Sequence, residues 1–261
     1  MSIVLVTADG PEHRFVANQI MAAHEVAAVF ICAPPIKRKW HKVLRRDPVG
    51  FARKALRHIY LKAIRASAAR NASLARVLGT ASETFIHPEL LVEVGRPKDE
   101  LLAQKMAEIA PDIIAVYGTG IIPDEVLVKA GQVALNMHTG LSPDYRGTAC
   151  AFWPIVEGRP EMVGATVHEC TSAVDGGRIY ARTPATLYRG DDLGAVFARA
   201  VSVGAQDYVK VISEAIAGNL TGTPQDMSEG REFRGAMLGL GVEIEARRNL
   251  ARMSSNWPPE P

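Results

Sequence analysis

Several signals of specialised protein classes are missing from this sequence. No apolar run reaches the roughly 18 residues of a membrane-spanning helix, and the N-terminal stretch MSIVLVTADG lacks the basic start of a signal peptide. The three cysteines, at positions 32, 150 and 170, show none of the paired spacing of a zinc site. We therefore expect a cytoplasmic protein with reduced thiols, no bound metal and no membrane contact.

Two further absences argue against particular functions. Lysine and arginine total 30 against 28 acidic residues, so the surface as a whole is not built for nucleic acid. No G-x-G-x-x-G follows the first predicted strand, which argues against a dinucleotide site. A hydrophobic share of 48% in 261 residues is instead typical of a globular protein with room for a large core.

Strand and helix patterns alternate along the chain. Continuous apolar, partly β-branched runs indicate buried parallel strands, and helical spacing of apolar residues separates them. This order predicts an α/β, Rossmann-like fold with a mostly parallel central sheet, helices on both faces, and ligands at the strand carboxyl ends. The predicted strands are 3–7, 26–32, 113–117, 132–137, 162–168 and 178–187, with one or two short strands in 83–94, and the predicted helices are 14–23, 98–109, 148–157 and 191–217.

Between residues 135 and 180, polar side chains with complementary chemistry lie near predicted strand ends. Asn136 and His138 close one strand, and Asp175 lies in the loop after the next, just before two glycines. An amide can donate to an oxyanion, an imidazole can donate or move a proton, and a carboxylate can orient the ring or accept a proton. This trio suits acyl transfer, although the same residue types also cap turns and satisfy buried carbonyls.

The order N-x-H, then S-P-x-Y-R-G, then D-G-G after a strand resembles the signature of the folate-dependent formyltransferases, which act on methionyl-tRNA, glycinamide ribonucleotide or sugar nucleotides. The resemblance implies transfer of a formyl group from 10-formyltetrahydrofolate to a primary amine, with Asn136, His138 and Asp175 as catalytic residues. The implied acceptor is a small anionic molecule such as an amino-sugar nucleotide. Two alternatives stay open, a formyltetrahydrofolate hydrolase on the same scaffold and a non-catalytic folate- or nucleotide-binding protein.

The resemblance also implies binding residues. In the family, a glycine-containing loop after a strand lines the pterin pocket largely with backbone groups, which glycine permits. Arg146 either anchors its loop or contacts the acceptor, and His168 is expected in the core or behind the catalytic residues. The implied folate-binding residues are Tyr117, Gly118, Gly120, Ile121, Ile122, Pro123 and Val174, and the implied acceptor-binding residues are Pro143, Tyr145, Arg146 and Gly147.

The segment 37–76 differs from the rest of the chain in charge. It carries thirteen lysines and arginines against one acid, Asp47, and its spacing is helical. We predict a basic helical insertion at about 36–80, which is either a solvated face or an electropositive flap over an anionic acceptor. Few aromatic residues interleave its charges, so a nucleic-acid partner is the less favoured interpretation.

The expected domain division follows from where the resemblance ends. Residues 1–220 are expected to form the formyltransferase catalytic domain, and residues 221–261 a short C-terminal tail. That tail is too short for the barrel-like second domain of the tRNA-directed enzymes, which favours a small-molecule acceptor over tRNA. The sequence leaves a homo-oligomer possible.

Overall fold

A seven-stranded sheet forms the centre of the protein. The computed structural model describes residues 1–34, 45, 47–171 and 173–261. The strands are β1 Ile3–Thr7, β2 Ala28–Cys32, β3 Leu91–Gly95, β4 Ile113–Tyr117, β5 Val133–His138, β6 Tyr145–Gly147, β7 Gly164–Glu169, β8 Ile179–Pro184 and β9 Arg231–Phe233. The central sheet has the order β3-β2-β1-β4-β5-β7-β8, in which β1 to β5 run parallel while β7 and β8 pair antiparallel.

Helices cover both faces of this sheet. The described helices are α1 Pro11–Ala23, α2 Pro48–Ala63, α3 Ala66–Leu78, α4 Glu100–Ile109, α5 Asp124–Leu127, α6 Trp153–Val156, α7 Leu193–Ile216 and α8 Leu240–Ser254. Ile3 and Leu5 pack under α1, α3 and α7, whereas Val4 and Val6 pack under α4 and α5. Because both faces of β1 are buried, its residues from Ile3 to Val6 are all apolar. Within the described part of the chain, no helix combines the length and apolarity needed to span a membrane.

The strand order creates a crevice at the carboxyl ends of β1 and β4. The chain runs from β1 outward to β2 and β3, and then returns to place β4 on the other side of β1. At such a reversal the loops that follow the two neighbouring strands diverge, and ligands of doubly wound sheets bind between them. The predicted α/β fold with a mostly parallel sheet and helices on both faces is confirmed.

The basic segment is helical where it is described, but its second half is not an added flap. Residues 35–44 and 46, which hold much of the segment's charge, lie outside the described residues. In α3, Leu74 and Leu78 are buried in the main core. At Gly194 of α7, an added Cβ would come within 2.9 Å of the Arg70 Cα, which shows how closely α3 packs. The helix α3 is therefore part of the core.

The helix α2 packs against the rest of the protein more loosely than α3 does. Its apolar residues Leu56 and Ile59, although they lie at helical spacing, are 55% and 63% exposed. Helical periodicity was a correct guide to the backbone here, but not to which face is buried.

Residues 221–261 also contribute to this body. The strand β9 pairs in parallel with β6 to form a separate two-stranded sheet, and α8 packs against α6 and α2. Phe233 of β9 is buried, with its ring stacked 4.7 Å from that of Trp153 and 5.5 Å from that of Tyr145. The division at residue 220 stays a prediction, but the residues beyond it fold against the core instead of trailing from it.

Candidate active site

A cleft of about 600 Å³ opens at the carboxyl ends of β1, β4 and β5. Its walls come from the loops after these strands, from the loop between β7 and β8, and from the segment around β9. The structure brings most of the predicted site residues together here. The predicted residues that line the cleft are Tyr117, Gly118, Gly120, Ile121, Ile122, Asn136, His138, Gly147, Val174 and Asp175.

His138 is held in one orientation by a main-chain carbonyl. Its Nε2 lies 3.0 Å from the carbonyl oxygen of Tyr145, and because a carbonyl only accepts, Nε2 carries a hydrogen. Its Nδ1 lies 3.5 Å from Oδ2 of Asp175. Burial, together with His168, lowers the pKa of His138 although the Asp175 carboxylate opposes this. The ring is therefore neutral at pH 7, with an unprotonated Nδ1 beside a carboxylate.

Asp175 is a fixed negative charge in this cluster. Its Oδ2 accepts the backbone N–H of Gly147 at 2.7 Å, and its Oδ1 lies 3.5 Å from Nε2 of His168. Burial alone would raise the pKa of Asp175. The charge that His138 carries when its ring is protonated, the nearby His168 and the hydrogen bond from the Gly147 N–H together outweigh burial and lower that pKa to about 2. The carboxylate is therefore ionised at neutral pH.

Asn136 is oriented by the histidine opposite it. His168 on β7 pairs across the sheet with Asn136 on β5, and its Nδ1 lies 2.7 Å from the carbonyl oxygen of Glu169. That nitrogen carries a hydrogen that points at the carbonyl, and Nε2 then accepts one N–H of the Asn136 amide at 3.1 Å. Among the residues that the structure describes, the second N–H of this amide has no partner and can serve a ligand. His168 is buried, as expected, and positions Asn136.

The loop after β4 approaches the cleft through its backbone. Gly118 has φ +66°, and a Cβ at this position would overlap the ring of His13 beneath it. That ring is fixed by Thr7 Oγ1, 3.0 Å from Nδ1, and lies 5.1 Å from the ring of Tyr117. Only glycine combines this conformation with this contact.

Two apolar side chains lie where the cleft meets solvent. Ile121 is 72% exposed and Val174 is 39% exposed. Pro123, also predicted to bind folate, immediately precedes α5 and does not line the cleft.

The side chains predicted to bind the acceptor mostly have structural positions. Tyr145 is 2% exposed, its hydroxyl donates to Glu157 at 2.6 Å, and only its carbonyl reaches His138. Arg146 donates to the carbonyl oxygens of Pro143 at 3.2 Å and Met227 at 3.3 Å, so it anchors the chain before β9. The polar groups of Tyr145 and Arg146 are thus bonded within the protein. Neither they nor Pro143 line the cleft.

Two thiols line the cleft without the properties of nucleophiles. Burial, with a contribution from the charge of Asp175, raises the pKa of Cys170 to about 12 and raises that of Cys150 above its ordinary range. Both therefore stay protonated at neutral pH, and only a thiolate is an effective nucleophile. The amide, the imidazoles and the carboxylate are the groups of the cleft whose chemistry suits acyl transfer.

Some of the cleft wall had no signal in the sequence. Glu12 and Phe197 line the cleft, as do residues 232–235 around β9. They come from α1, α7 and the C-terminal segment, which only the folded topology brings together. Glu12 is also ion-paired at 2.6 Å with Arg70 of α3, so the basic segment reaches the edge of the cleft.

Comparison with known proteins agrees with this geometry. The family model described as Formyl transferase matches residues 47–212. A methionyl-tRNA formyltransferase from Lacticaseibacillus casei is 39% identical over 127 residues, which are 48% of this chain and 39% of that protein. The match therefore spans only 39% of the length of this curated relative.

Solved structures share the fold at low identity. A sugar 3N-formyltransferase, crystallised in the presence of dTDP and 5-N-formyl-THF, gives a TM-score of 0.58 at 14% identity and covers 99% of this chain and 82% of its own. A phosphoribosylglycinamide formyltransferase from Anaplasma phagocytophilum gives 0.54 at 15% identity, covering 89% and 98%. The family match includes α2 to α6, most of α7, and all the residues of the Asn136, His138, His168 and Asp175 cluster. The chain belongs to the formyl transferase family.

Proposed function

We propose that the protein transfers a formyl group from 10-formyltetrahydrofolate to a primary amine of a small acceptor. The observation that carries this proposal is the convergence of Asn136, His138 and Asp175 in one cleft of a chain that belongs to the formyl transferase family. An amino-sugar nucleotide is the leading acceptor, since one structural neighbour is a sugar 3N-formyltransferase obtained with dTDP.

The cleft suits a folate donor in size and lining. About 600 Å³ is within the range of sites that hold molecules of this size. Residues 117–120 offer backbone groups to the pterin ring, and the positive φ of Gly118 lets that ring approach closely. Exposed Ile121 and Val174 supply apolar surface at the mouth for the aromatic ring that follows the pterin.

The amine nitrogen attacks the formyl carbon, and the formyl oxygen becomes an oxyanion. The free N–H of Asn136 donates to that oxygen, and a single donor of this kind contributes about 3 kcal/mol. As the tetrahedral intermediate collapses, the bond from the carbon to N10 breaks. N10 takes up a proton, which the imidazolium of His138 returns, so tetrahydrofolate leaves and the formyl group stays on the amine.

His138 receives the amine proton in this scheme. An imidazole can donate or move a proton, but here Nε2–H is already given to the Tyr145 carbonyl. The unprotonated Nδ1 is free to accept a proton, directly or through a water, and Asp175 stabilises the resulting imidazolium. General base catalysis of this kind contributes about 10²- to 10⁴-fold.

The first experiment is the release of tetrahydrofolate from 10-formyltetrahydrofolate, with and without a panel of amino-sugar nucleotides and other phosphorylated amines. Amine-dependent release with a formylated product by mass is the expected result. Release without any amine would replace the transferase by a hydrolase. Folate binding without release under any condition would favour a binding protein.

A further inference from the structure

A second cavity of about 380 Å³ adjoins the cleft. Thr139, Ala149 and Phe197 line both spaces and form their common border. Thr139 directly follows His138 in the chain. A ligand whose amine lies at His138 can therefore extend past this border into the second cavity without leaving the protein.

The second cavity combines apolar walls with guanidinium groups. Arg57 of α2, Arg70 of α3 and Arg247 of α8 line it, and the side chains between them are mostly apolar. Arg70 lies 4.9 Å from the centre of the Phe197 ring, at the border with the cleft. The apolar lining consists of Leu61, Ala66, Ala69, Ala149, Ala151, Phe152, Leu193, Phe197 and Leu238. We call this space the arginine pocket.

Much of the hydrogen-bonding capacity of the arginines is unused. Arg57 Nη2 donates to Glu243 Oε2 at 3.0 Å, and Arg247 Nη2 donates to Glu243 Oε1 at 3.0 Å. A guanidinium has five N–H donors. Within the part of the chain that the structure describes, Arg57 Nε is buried and has no hydrogen-bond partner. A buried donor without an acceptor is costly, so a ligand oxygen is the natural partner for it.

The acidic residues at this pocket hold the arginines in place. Glu243 and Asp192 line the pocket, and Glu12 pairs with Arg70 from the cleft side, so formal charges nearly balance. Asp192 is already used, because it accepts from the backbone N–H of Ala195 at 2.8 Å. With little net charge in the pocket, binding of an oxyanion depends on guanidinium N–H groups that point at it within hydrogen-bond distance.

The α1 side of the cleft is unfavourable for an anion. Glu12 lies in the first turn of α1 and lines the cleft, so its carboxylate occupies the helix N-terminus. Arg14 of the same helix pairs with Asp9 at 2.7 Å and donates to the carbonyl oxygen of Glu83 at 2.9 Å. An anionic acceptor therefore meets a carboxylate on the α1 side and guanidinium donors on the α2–α3 side.

We propose that the arginine pocket is the acceptor subsite and takes a phosphate or carboxylate group of the amine acceptor. Arg57, Arg70 and Arg247 hold this oxyanion while the amine lies at Nδ1 of His138. The assignment rests on the proposed formyl transfer and adds which acceptors are used and which residues select them.

The test compares Arg57→Gln with Lys54→Gln, a matched loss of one charge on the same helix at an exposed residue outside the pocket. Steady-state transfer is measured with glucosamine 6-phosphate, with an amino acid that carries a carboxylate, and with glucosamine as the acceptor without an oxyanion. Arg57→Gln should raise KM for the preferred anionic acceptor at least about tenfold, with a much smaller effect on kcat and on the glucosamine reaction. Lys54→Gln should behave as the wild type.

Binding of inorganic phosphate and of malonate, measured by calorimetry, separates the two kinds of oxyanion and does not depend on transfer. If no amine is formylated but phosphate or malonate binds and Arg57→Gln weakens it, the pocket stands and the proposed reaction fails. If transfer occurs but Arg57→Gln raises KM for all acceptors equally, or binding of neither probe responds, the pocket assignment is overturned. Arg70→Gln repeats the test without disturbing Glu243.

Discussion

Replacing Asp175 with asparagine tests the coupling on which the proposed proton transfer depends. The pKa of Asp175 is about 2, where 3.8 is ordinary. At about 1.4 kcal/mol per pH unit, the surroundings favour the ionised carboxylate by about 2 kcal/mol even against burial. The charge of His138 is the largest of the favourable contributions. Asparagine tolerates the positive φ of 48° at this position and can still accept the Gly147 N–H.

The coupling is reciprocal, which fixes the sign of the expected change. The Asp175 carboxylate raises the pKa of His138 against the effect of burial. Without that charge the pKa of His138 falls further, so the acidic limb of kcat/KM should move to lower pH. The imidazolium formed during transfer also loses its counter-ion. The plateau rate should therefore fall by about 10²-fold or more, as general base catalysis is lost.

The assay is tetrahydrofolate release with a competent amine between pH 5 and pH 9, alongside folate affinity and thermal melting. Folate affinity should change only a few-fold, since Asp175 acts on the acceptor's proton. An acidic limb at unchanged pH, or a plateau within about tenfold of the wild type, would refute a base at His138 supported by Asp175.

Three further substitutions test other parts of the site. Asn136→Ala should lower kcat by at least about tenfold with folate affinity within a few-fold, measured by steady-state turnover and equilibrium binding. Gly118→Ala should lower the melting temperature and weaken folate binding because the left-handed backbone and the histidine ring beneath it leave no space. Gly120→Ala, with nothing within 4 Å, is its control for melting. Tyr145→Phe should cost about 1 kcal/mol in chemical denaturation through the lost bond to Glu157. Its turnover should be unchanged, since the catalytic histidine is held by the main-chain carbonyl.

The parallel strands were the most predictable part of the fold. β1 and β4 begin and end at the predicted residues, Ile3–Thr7 and Ile113–Tyr117. Each is buried on both faces, so its apolar run coincides with the whole strand. The helix α7 is predictable for a related reason, because its length gives an apolar face that repeats over many turns.

Elements that are stabilised by residues distant in the sequence have no local pattern from which they could be predicted. The strands β6 and β9 are three residues each and pair across a long stretch of chain. Their contact depends on the stacked rings of Tyr145, Phe233 and Trp153, which no local pattern connects. The helix predicted at 148–157 is reduced to Trp153–Val156, since Ala149 has φ +61° and the chain turns there instead.

The basic segment shows that charge patterning alone does not say where each charge lies in the fold. Its excess of lysine and arginine left a solvated face and an electropositive flap as alternatives. Arg46 lies outside the described residues, and Arg45 is exposed. The charges of this segment that line the arginine pocket are Arg57 and Arg70, because α3 packs into the core and carries Arg70 to the cleft border. The folded position of a charge decides its role, and net charge does not.

For the candidate site, too, the sequence motif gives the residues, whereas only the folded structure gives their hydrogen-bond partners. The motif names Asn136, His138 and Asp175, but it does not say which of their atoms carry protons. That depends on the antiparallel register that puts His168 opposite Asn136, and on two carbonyls, of Tyr145 and Glu169, that each bind one imidazole N–H. These contacts leave Asn136 with a free donor and His138 with a free acceptor. The proposed division of roles, with the oxyanion at the amide and the proton at the imidazole, therefore rests on backbone geometry that the three side chains do not encode.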